Sequence, residues 1–231
     1  MEPLRILMVV TSHSELGATG RKTGLWLEGF AAPYYEFADN GAIITVASVE
    51  GGEPPIDPGS VSEDLPTASR RFRCDHAAQT ILRHTMEISY ARADEFDGVF
   101  YPGGHGPMWD LATDRLSANL ISEFASQGKP VGAVCHAPAA LLPVVVNGVK
   151  LIEGRRLTAF SNVEEDSLGL TAEMPFLLEN MLRDGGAIYS KGSPFEPYAI
   201  EDGLVITGQN PASSGLAAAL FTRRCASQRL R

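Results

Sequence analysis

The sequence has few cysteines, and their placement excludes two common roles. There are three in 231 residues, at positions 74, 135 and 225. An odd number of widely separated cysteines does not form a disulfide framework, and no pair has the close spacing of a zinc site. Cys74, Asp75 and His76 are consecutive, which suits chelation on one face poorly, so we predict no metal ion.

Long hydrophobic runs and an excess of basic residues are also absent. The apolar run in MEPLRILMVVTSHSE is too short for a signal sequence, and no stretch approaches a membrane span. The formal net charge is −9, and a surface of that sign repels nucleic acid and anionic membranes. We therefore expect a cytoplasmic protein that binds neither.

What the sequence does contain is a series of short apolar runs separated by helix-length patterns. None of these runs alternates cleanly with polar residues, which is typical of strands buried on both faces of a parallel sheet. The predicted strands cover residues 4–10, 42–47, 98–101, 131–134 and 204–207. The predicted helices cover residues 25–40, 116–127, 175–183 and 213–223, and the first two end before a glycine, as helices commonly do.

This alternation predicts an α/β fold with a doubly wound, mostly parallel sheet and helices on both faces. The length suits one large domain over residues 1–231. A polar segment rich in Gly and Pro begins near residue 50. Because strand patterns continue on both sides of it, we expect a surface-loop elaboration around 50–72 rather than a linker.

The segment GAVCHAPAAL places Cys135 directly after a predicted strand and before His136. The order strand, sharp turn, helix puts the thiol at the carboxyl end of the sheet, where open α/β folds bind their ligands. The first N–H groups of a following helix stabilise negative charge. We therefore expect a thiol pKa below the ordinary value and the most reactive of the three thiols. A buried structural cysteine is the alternative interpretation.

A second turn, PGGHGP, follows the strand at 98–101. Two adjacent glycines let backbone N–H groups approach a ligand closely, which suits an oxyanion site, although an ordinary tight turn is the alternative. The sequence contains neither GxxxxGK[ST] nor GxGxxG, so we expect no phosphate or dinucleotide cofactor.

Four segments in order, KTGLWLEGFAAPYY, YPGGHGP, AVCHAPAAL and TGQNPASS, resemble the DJ-1/PfpI superfamily, most closely its Hsp31-like, glyoxalase III-type branch. The resemblance runs from about residue 4 to residue 220. It implies a flavodoxin-like fold, a homodimer, and a lyase of the D-lactate dehydratase type that converts methylglyoxal to lactate without a cofactor. Chaperone-like activity in a stress response is also ascribed to this family.

The same resemblance implies the site residues. It makes Cys135 the nucleophile, His136 its partner and Glu165 the acid that orients the histidine, with Glu164 as the rival. The sister class of glutamine amidotransferases uses a His-x-Glu pair downstream of its cysteine. The five histidines here are at 13, 76, 84, 105 and 136, so glutaminase chemistry is not expected.

The family's oxyanion amides fall near Gly104 and His136, which places His105 in the substrate-binding turn as well. Trp109 lies close to this turn in sequence, so it is a candidate for the pocket wall, with a core or dimer contact as the alternative.

One position departs from the family pattern. The family has a glutamate four residues before the proline of its APYY-like segment, with its carboxyl group beside the thiol, and here that position is Gly29. Glu28 is one residue earlier, which on a helix is about 100° of rotation, so it should point elsewhere. The carboxylate that transfers the proton is therefore missing, and Gly29 should leave space beside the thiol for substrate.

These observations predict a cysteine-dependent, cofactor-free enzyme acting on small reactive carbonyls, weakened or altered by Gly29. Two alternatives remain open: a non-catalytic, chaperone-like dimer, and an enzyme repurposed for a larger electrophile.

Overall fold

The computed structural model describes residues 2–62 and 64–229 of the chain. Within them lie eleven strands: β1 (Arg5–Val10), β2 (Ile43–Ser48), β3 (Met86–Glu87), β4 (Gly98–Tyr101), β5 (Val131–Val134), β6 (Val145–Val146), β7 (Val149–Lys150), β8 (Arg156–Leu157), β9 (Ile188–Tyr189), β10 (Ala199–Asp202) and β11 (Val205–Gly208). The α-helices in the same residues are α1 (Leu27–Asp39), α2 (Thr67–Cys74), α3 (His76–Arg83), α4 (Arg115–Ser126), α5 (Asn162–Ser167), α6 (Leu178–Asp184) and α7 (Ser214–Arg229).

Seven strands form one central sheet in the order β10-β11-β5-β4-β1-β2-β3. All neighbouring strands are parallel except β10 and β11, which pair antiparallel. The strands predicted from the apolar runs are β1, β2, β4, β5 and β11, and they are consecutive in this sheet. The predicted doubly wound, mostly parallel sheet is therefore confirmed.

Helices cover both faces of the sheet, each over its own apolar core. On one face, α1 and α7 pack their aromatic side chains on β4, with Phe37 and Phe221 each 5.4 Å from Phe100, ring centre to ring centre. On the other face, α4 and α6 bury Ile121, Phe124 and Leu182. Burial on both faces explains why the central strands read as continuous apolar runs.

Several elements were not predicted, for two physical reasons. Strands β3 and β6–β9 have two residues each, too short for a periodic pattern, and the edge strand β10 (AIED) is only half-buried and carries acids. Helices α2 and α3 have only eight residues each, about two turns, so the pattern that each presents is short. Helix α2 begins inside the segment expected to be surface loop around 50–72. None of the helices in residues 2–62 and 64–229 is both long and apolar enough to cross a bilayer.

Candidate active site

Cys135 lies at the sharp turn that follows β5. Its φ is +61°, in the left-handed region that a non-glycine residue occupies at a cost of about 1–3 kcal/mol. The backbone holds it there: the Cys135 N–H donates to Gly208 O at 2.9 Å, and the Cys135 carbonyl accepts from Phe160 N at 2.9 Å. The turn is thus tied to β11 and to the loop after β8, and it presents the thiol above the sheet edge.

The residues after this turn differ from the predicted helix. They form a five-residue 3₁₀ helix, Ala137–Leu141, with Pro138 in its first turn. A single short turn aligns few peptide dipoles, so it stabilises a thiolate much less than a long α-helix does.

Two backbone amides contact the sulfur atom, and His136 approaches it from the side. The N–H groups of Gly104 and His136 lie beside Cys135 Sγ and lower the pKa of the thiol, and His136 Nδ1 lies 3.3 Å from the same sulfur. These are the two amides that the resemblance implies for an oxyanion site. They point at the atom where negative charge would develop.

The expectation of a lowered thiol pKa is wrong. Burial raises the pKa of Cys135 above its ordinary value, and the negative charges of Glu164 and Glu165 raise it further, while the amides of Gly104 and His136 lower it only in part. Only 3% of Cys135 is exposed. Cys74, which is exposed, is the thiol that a bulky reagent reaches first.

His136 and Glu165 come together across 29 residues of sequence, with His136 Nε2 2.7 Å from Glu165 Oε2. Burial raises the pKa of Glu165, but the adjacent His136 and hydrogen bonds from two imidazoles outweigh it and hold the pKa at about 2. Glu165 is therefore a carboxylate that only accepts hydrogen bonds. His136 must then carry its proton on Nε2, which leaves the Nδ1 lone pair facing the sulfur.

A second histidine shares the same carboxylate. His105 Nε2 lies 3.1 Å from Glu165 Oε1, and the ring centres of His105 and His136 are 4.2 Å apart. Burial lowers the pKa of His136, and the neighbouring His105 lowers it further, against the opposing effect of Glu165. His136 is consequently neutral at rest and able to accept a proton.

Glu164, the rival acid, points away from both imidazoles. It is fully buried and accepts hydrogen bonds from the Ser161 N–H and hydroxyl, from Phe195 N–H and from the Asn210 amide. Ser161 caps α5, and Glu164 returns a hydrogen bond in a capping box. Both acids are buried, so a solvated surface pair is excluded, and Glu164 instead ties α5 to the loop that carries Phe195.

The glycine turn after β4 brings the loop before α1 close to the sulfur. Gly104 has a φ of +128°, and a Cβ on it would lie 2.6 Å from Trp26 N. Only glycine therefore allows this turn to pack on the start of α1 while its N–H reaches Cys135.

Gly29 does not leave space beside the thiol, which corrects the expectation from sequence. A Cβ on Gly29 would lie 3.2 Å from Gly103 N, a tight contact, so the backbone of Gly103 leaves little room at that position. Gly103 is itself packed against Cys135. Glu28 points elsewhere, as predicted, and accepts hydrogen bonds from the Ser69 N–H and hydroxyl.

The thiol opens into a cavity of about 240 Å³. The cavity is mostly apolar, and its lining is Trp26, Gly104, His105, Cys135, His136, Phe160, Leu168, Phe195 and Pro211. Gly29 and Trp109, both predicted to bind substrate, are not part of it: Trp109 instead stacks on His13 at 5.0 Å between ring centres.

Sequence reasoning missed the apolar wall of the cavity. Trp26 lies in the KTGLWLEG segment that helped identify the family, so its place in that segment could have marked it as a cavity residue. Phe160, Leu168, Phe195 and Pro211 come from four separate connections between elements, and no local pattern marks them as neighbours. Phe195 has a φ of +62°, another strained position, and Glu164 holds its N–H.

Within residues 2–62 and 64–229, one cluster has the spacing that a metal ion needs. It consists of His105, His136 and Glu165, whose ligand atoms lie within 4.8 Å of one another. Each imidazole N–H already bonds to a separate carboxylate oxygen, which accounts for the close approach. The absence of a metal ion stays a prediction.

Comparisons with known proteins agree with the geometry. Residues 27–218 match the model of the DJ-1/PfpI family. The glutathione-independent glyoxalase HSP31 of Saccharomyces cerevisiae is 29% identical over 225 residues, which cover 93% of this chain and 94% of that protein.

Two solved structures superpose closely. Rapid Encystment Protein 24 kDa (REP24) of Francisella tularensis gives a TM-score of 0.91 at 36% identity and covers 96% of this chain and 99% of its own. Glyoxalase III of Candida albicans gives 0.89 at 26% identity, over 96% and 97%. With the matched segment spanning most of the sheet and the thiol turn, the chain belongs to the DJ-1/PfpI family.

Proposed function

We propose that this protein is a cysteine-dependent, cofactor-free enzyme that converts small α-oxoaldehydes such as methylglyoxal to hydroxy acids. One observation carries the proposal: three side chains are in contact in series. Cys135 Sγ lies 3.3 Å from His136 Nδ1, and His136 Nε2 lies 2.7 Å from Glu165 Oε2. This series joins a nucleophile, a base and an orienting carboxylate, the arrangement of cysteine and serine nucleophile enzymes. The relatives named as glyoxalases support the reaction class.

The first step follows from the raised thiol pKa. Because Cys135 is a thiol at rest, His136 Nδ1 takes its proton as the sulfur attacks the aldehyde carbon. The carbonyl electron pair moves to oxygen, which receives that proton from His136 and gives a hemithioacetal. The amides of Gly104 and His136 stabilise the developing negative charge, an effect worth about 10²–10³-fold per donor in other enzymes.

The last step reverses the roles. After rearrangement to a thioester, His136 removes a proton from water, and the water oxygen attacks the thioester carbon. The C–S bond breaks, and Cys135 takes the proton from His136 as the hydroxy acid leaves. No external oxidant is required, because the aldehyde carbon is oxidised as the neighbouring carbon is reduced.

The test is the appearance of lactate from methylglyoxal in the absence of glutathione. We expect turnover that does not change when glutathione is added, because the sulfur nucleophile is Cys135 itself. The Cys74→Ser variant, which alters an exposed thiol outside the cavity, serves as the matched control and should equal the wild type. A folded wild type without lactate production contradicts the proposal and favours the chaperone-like alternative.

Gly29→Glu tests whether the missing family carboxylate limits the rate. Sequence alone predicts a gain of about 10²-fold or more, but the side chain must start 3.2 Å from Gly103 N. We expect a gain below about 10-fold, because displacing Gly103 also disturbs Cys135 and the Gly104 amide. Gly29→Ala separates the packing cost from the carboxylate. A rise of 100-fold in Gly29→Glu would show that the carboxylate alone was lacking.

A further inference from the structure

The proposed reaction needs one proton transfer that His136 is poorly placed to perform. After the hemithioacetal forms, a proton must leave the carbon bonded to sulfur and arrive on the neighbouring carbon. His136 Nδ1 lies 3.3 Å from the sulfur, and its Nε2 is bonded to Glu165. It serves the sulfur and oxygen atoms, so a second base should face the carbon chain of the substrate.

The cavity lining narrows the choice to one residue. Apart from Cys135, its titratable side chains are His105 and His136. The nearby acids are otherwise engaged: Glu28 bonds to Ser69, and Glu164 is saturated by four donors outside the cavity.

His105 has the features of a base aimed into the cavity. Its Nε2 must be the protonated nitrogen, because it lies 3.1 Å from an oxygen of the Glu165 carboxylate. In the neutral ring, Nδ1 therefore carries the lone pair, and the side-chain hydrogen bond of His105 among the described residues is made by Nε2. His105 follows Gly104, whose N–H touches Cys135 Sγ, so its ring stands next to the reacting atoms.

We propose that His105 is a second catalytic base, which with Glu165 moves the proton between the two substrate carbons. This inference rests on the proposed function and assigns its central step. One carboxylate then orients two imidazoles, with His136 assigned to sulfur and His105 to carbon. The site has no need of a carboxylate at position 29.

The step balances within the substrate. His105 Nδ1 takes the proton from the carbon bonded to sulfur, the C–H pair forms a C=C bond, and the ketone pair moves to its oxygen. The hydroxyl proton of the hemithioacetal passes to that former ketone oxygen. The electron pair of the broken hydroxyl O–H bond forms the C=O bond of the thioester. The C=C electron pair then takes the proton back from His105, and this proton becomes bonded to the former ketone carbon. One carbon is oxidised and the other is reduced by the same two electrons.

His105→Gln tests the proposal, because the glutamine amide can still donate to Glu165 Oε1 while it offers no base. We expect kcat for lactate formation to fall about 10²–10⁴-fold. Addition of methylglyoxal to Cys135 should persist, since His136, Glu165 and both amides are unchanged. Isotope-labelled methylglyoxal then shows, by NMR, a protein-bound hemithioacetal that builds up instead of turning over.

The controls separate a base from a positioning residue. His76→Gln, an exposed histidine on α3, should match the wild type. If His105→Gln keeps kcat within about threefold, or loses hemithioacetal formation together with turnover, His105 is not the base. A wild type that makes no lactate instead overturns the proposed function, and this inference with it.

Discussion

We expect the replacement of Cys135 by serine to lower the rate of the proposed lactate formation at least about 10³-fold. The hydroxyl proton is far harder to remove than the thiol proton, and the resulting nucleophile is weaker towards carbonyl carbon. The substitution should preserve the fold, because serine is close to cysteine in size and the hydrogen bonds that hold φ at +61° are made by the backbone.

Steady-state assays with methylglyoxal measure this effect, and thermal unfolding of the same samples checks the fold. Cys225→Ser is a poor control, because Cys225 lies on α7 and is fully buried against Gly98 of β4. Cys74→Ser is the matched one. Retention of more than a few per cent of the activity by Cys135→Ser would remove Cys135 from the reaction.

Glu165→Gln has the second largest expected effect, a loss of about 10²–10⁴-fold in kcat. An amide has one oxygen, so it can accept from only one imidazole, and its NH₂ group faces the other. The second imidazole must then present a lone pair on Nε2 and carry its proton on Nδ1. Either His136 can no longer accept the thiol proton, or His105 can no longer accept a proton from carbon.

Glu164→Gln, one residue earlier, is the contrasting variant. It leaves both imidazole hydrogen bonds intact but sets an amide N–H either against the donors of Ser161 or against those of Phe195 and Asn210. We expect a loss of about 1–3 kcal/mol in the free energy of unfolding, with the thiol chemistry retained. Denaturant titration and activity on both variants measure the contrast. Equal activity losses would show that the two acids act as one structural unit.

The fold was largely predictable because its signals are local. Strands buried on both faces must be apolar throughout, so β1, β2, β4, β5 and β11 are visible in the sequence. Helices α1 and α4 end two residues before Gly41 and Gly128, where a left-handed residue closes the helix. Two-residue strands and the eight-residue helices α2 and α3 are too short to leave a comparable pattern.

The site was predictable only in part. The sharp turn at Cys135 follows from a strand that ends in small residues, and the family resemblance supplied Glu165. The raised thiol pKa did not follow, because it depends on burial by several loops and on the acids of α5. Trp109 and Gly29 were misplaced for the same reason: nearness in sequence to a glycine turn does not decide which side chain reaches the cavity.

Local sequence patterns suffice for the alternating α/β arrangement and for the place of the thiol at a strand end. Tertiary structure alone decided that Glu165 meets His136 across 29 residues and His105 across 60. These partners are far apart in sequence and meet because the turns after β4 and β5 and helix α5 lie together at one edge of the sheet. Spacing along the chain carries no record of that convergence, because it depends on the packing of every element between them.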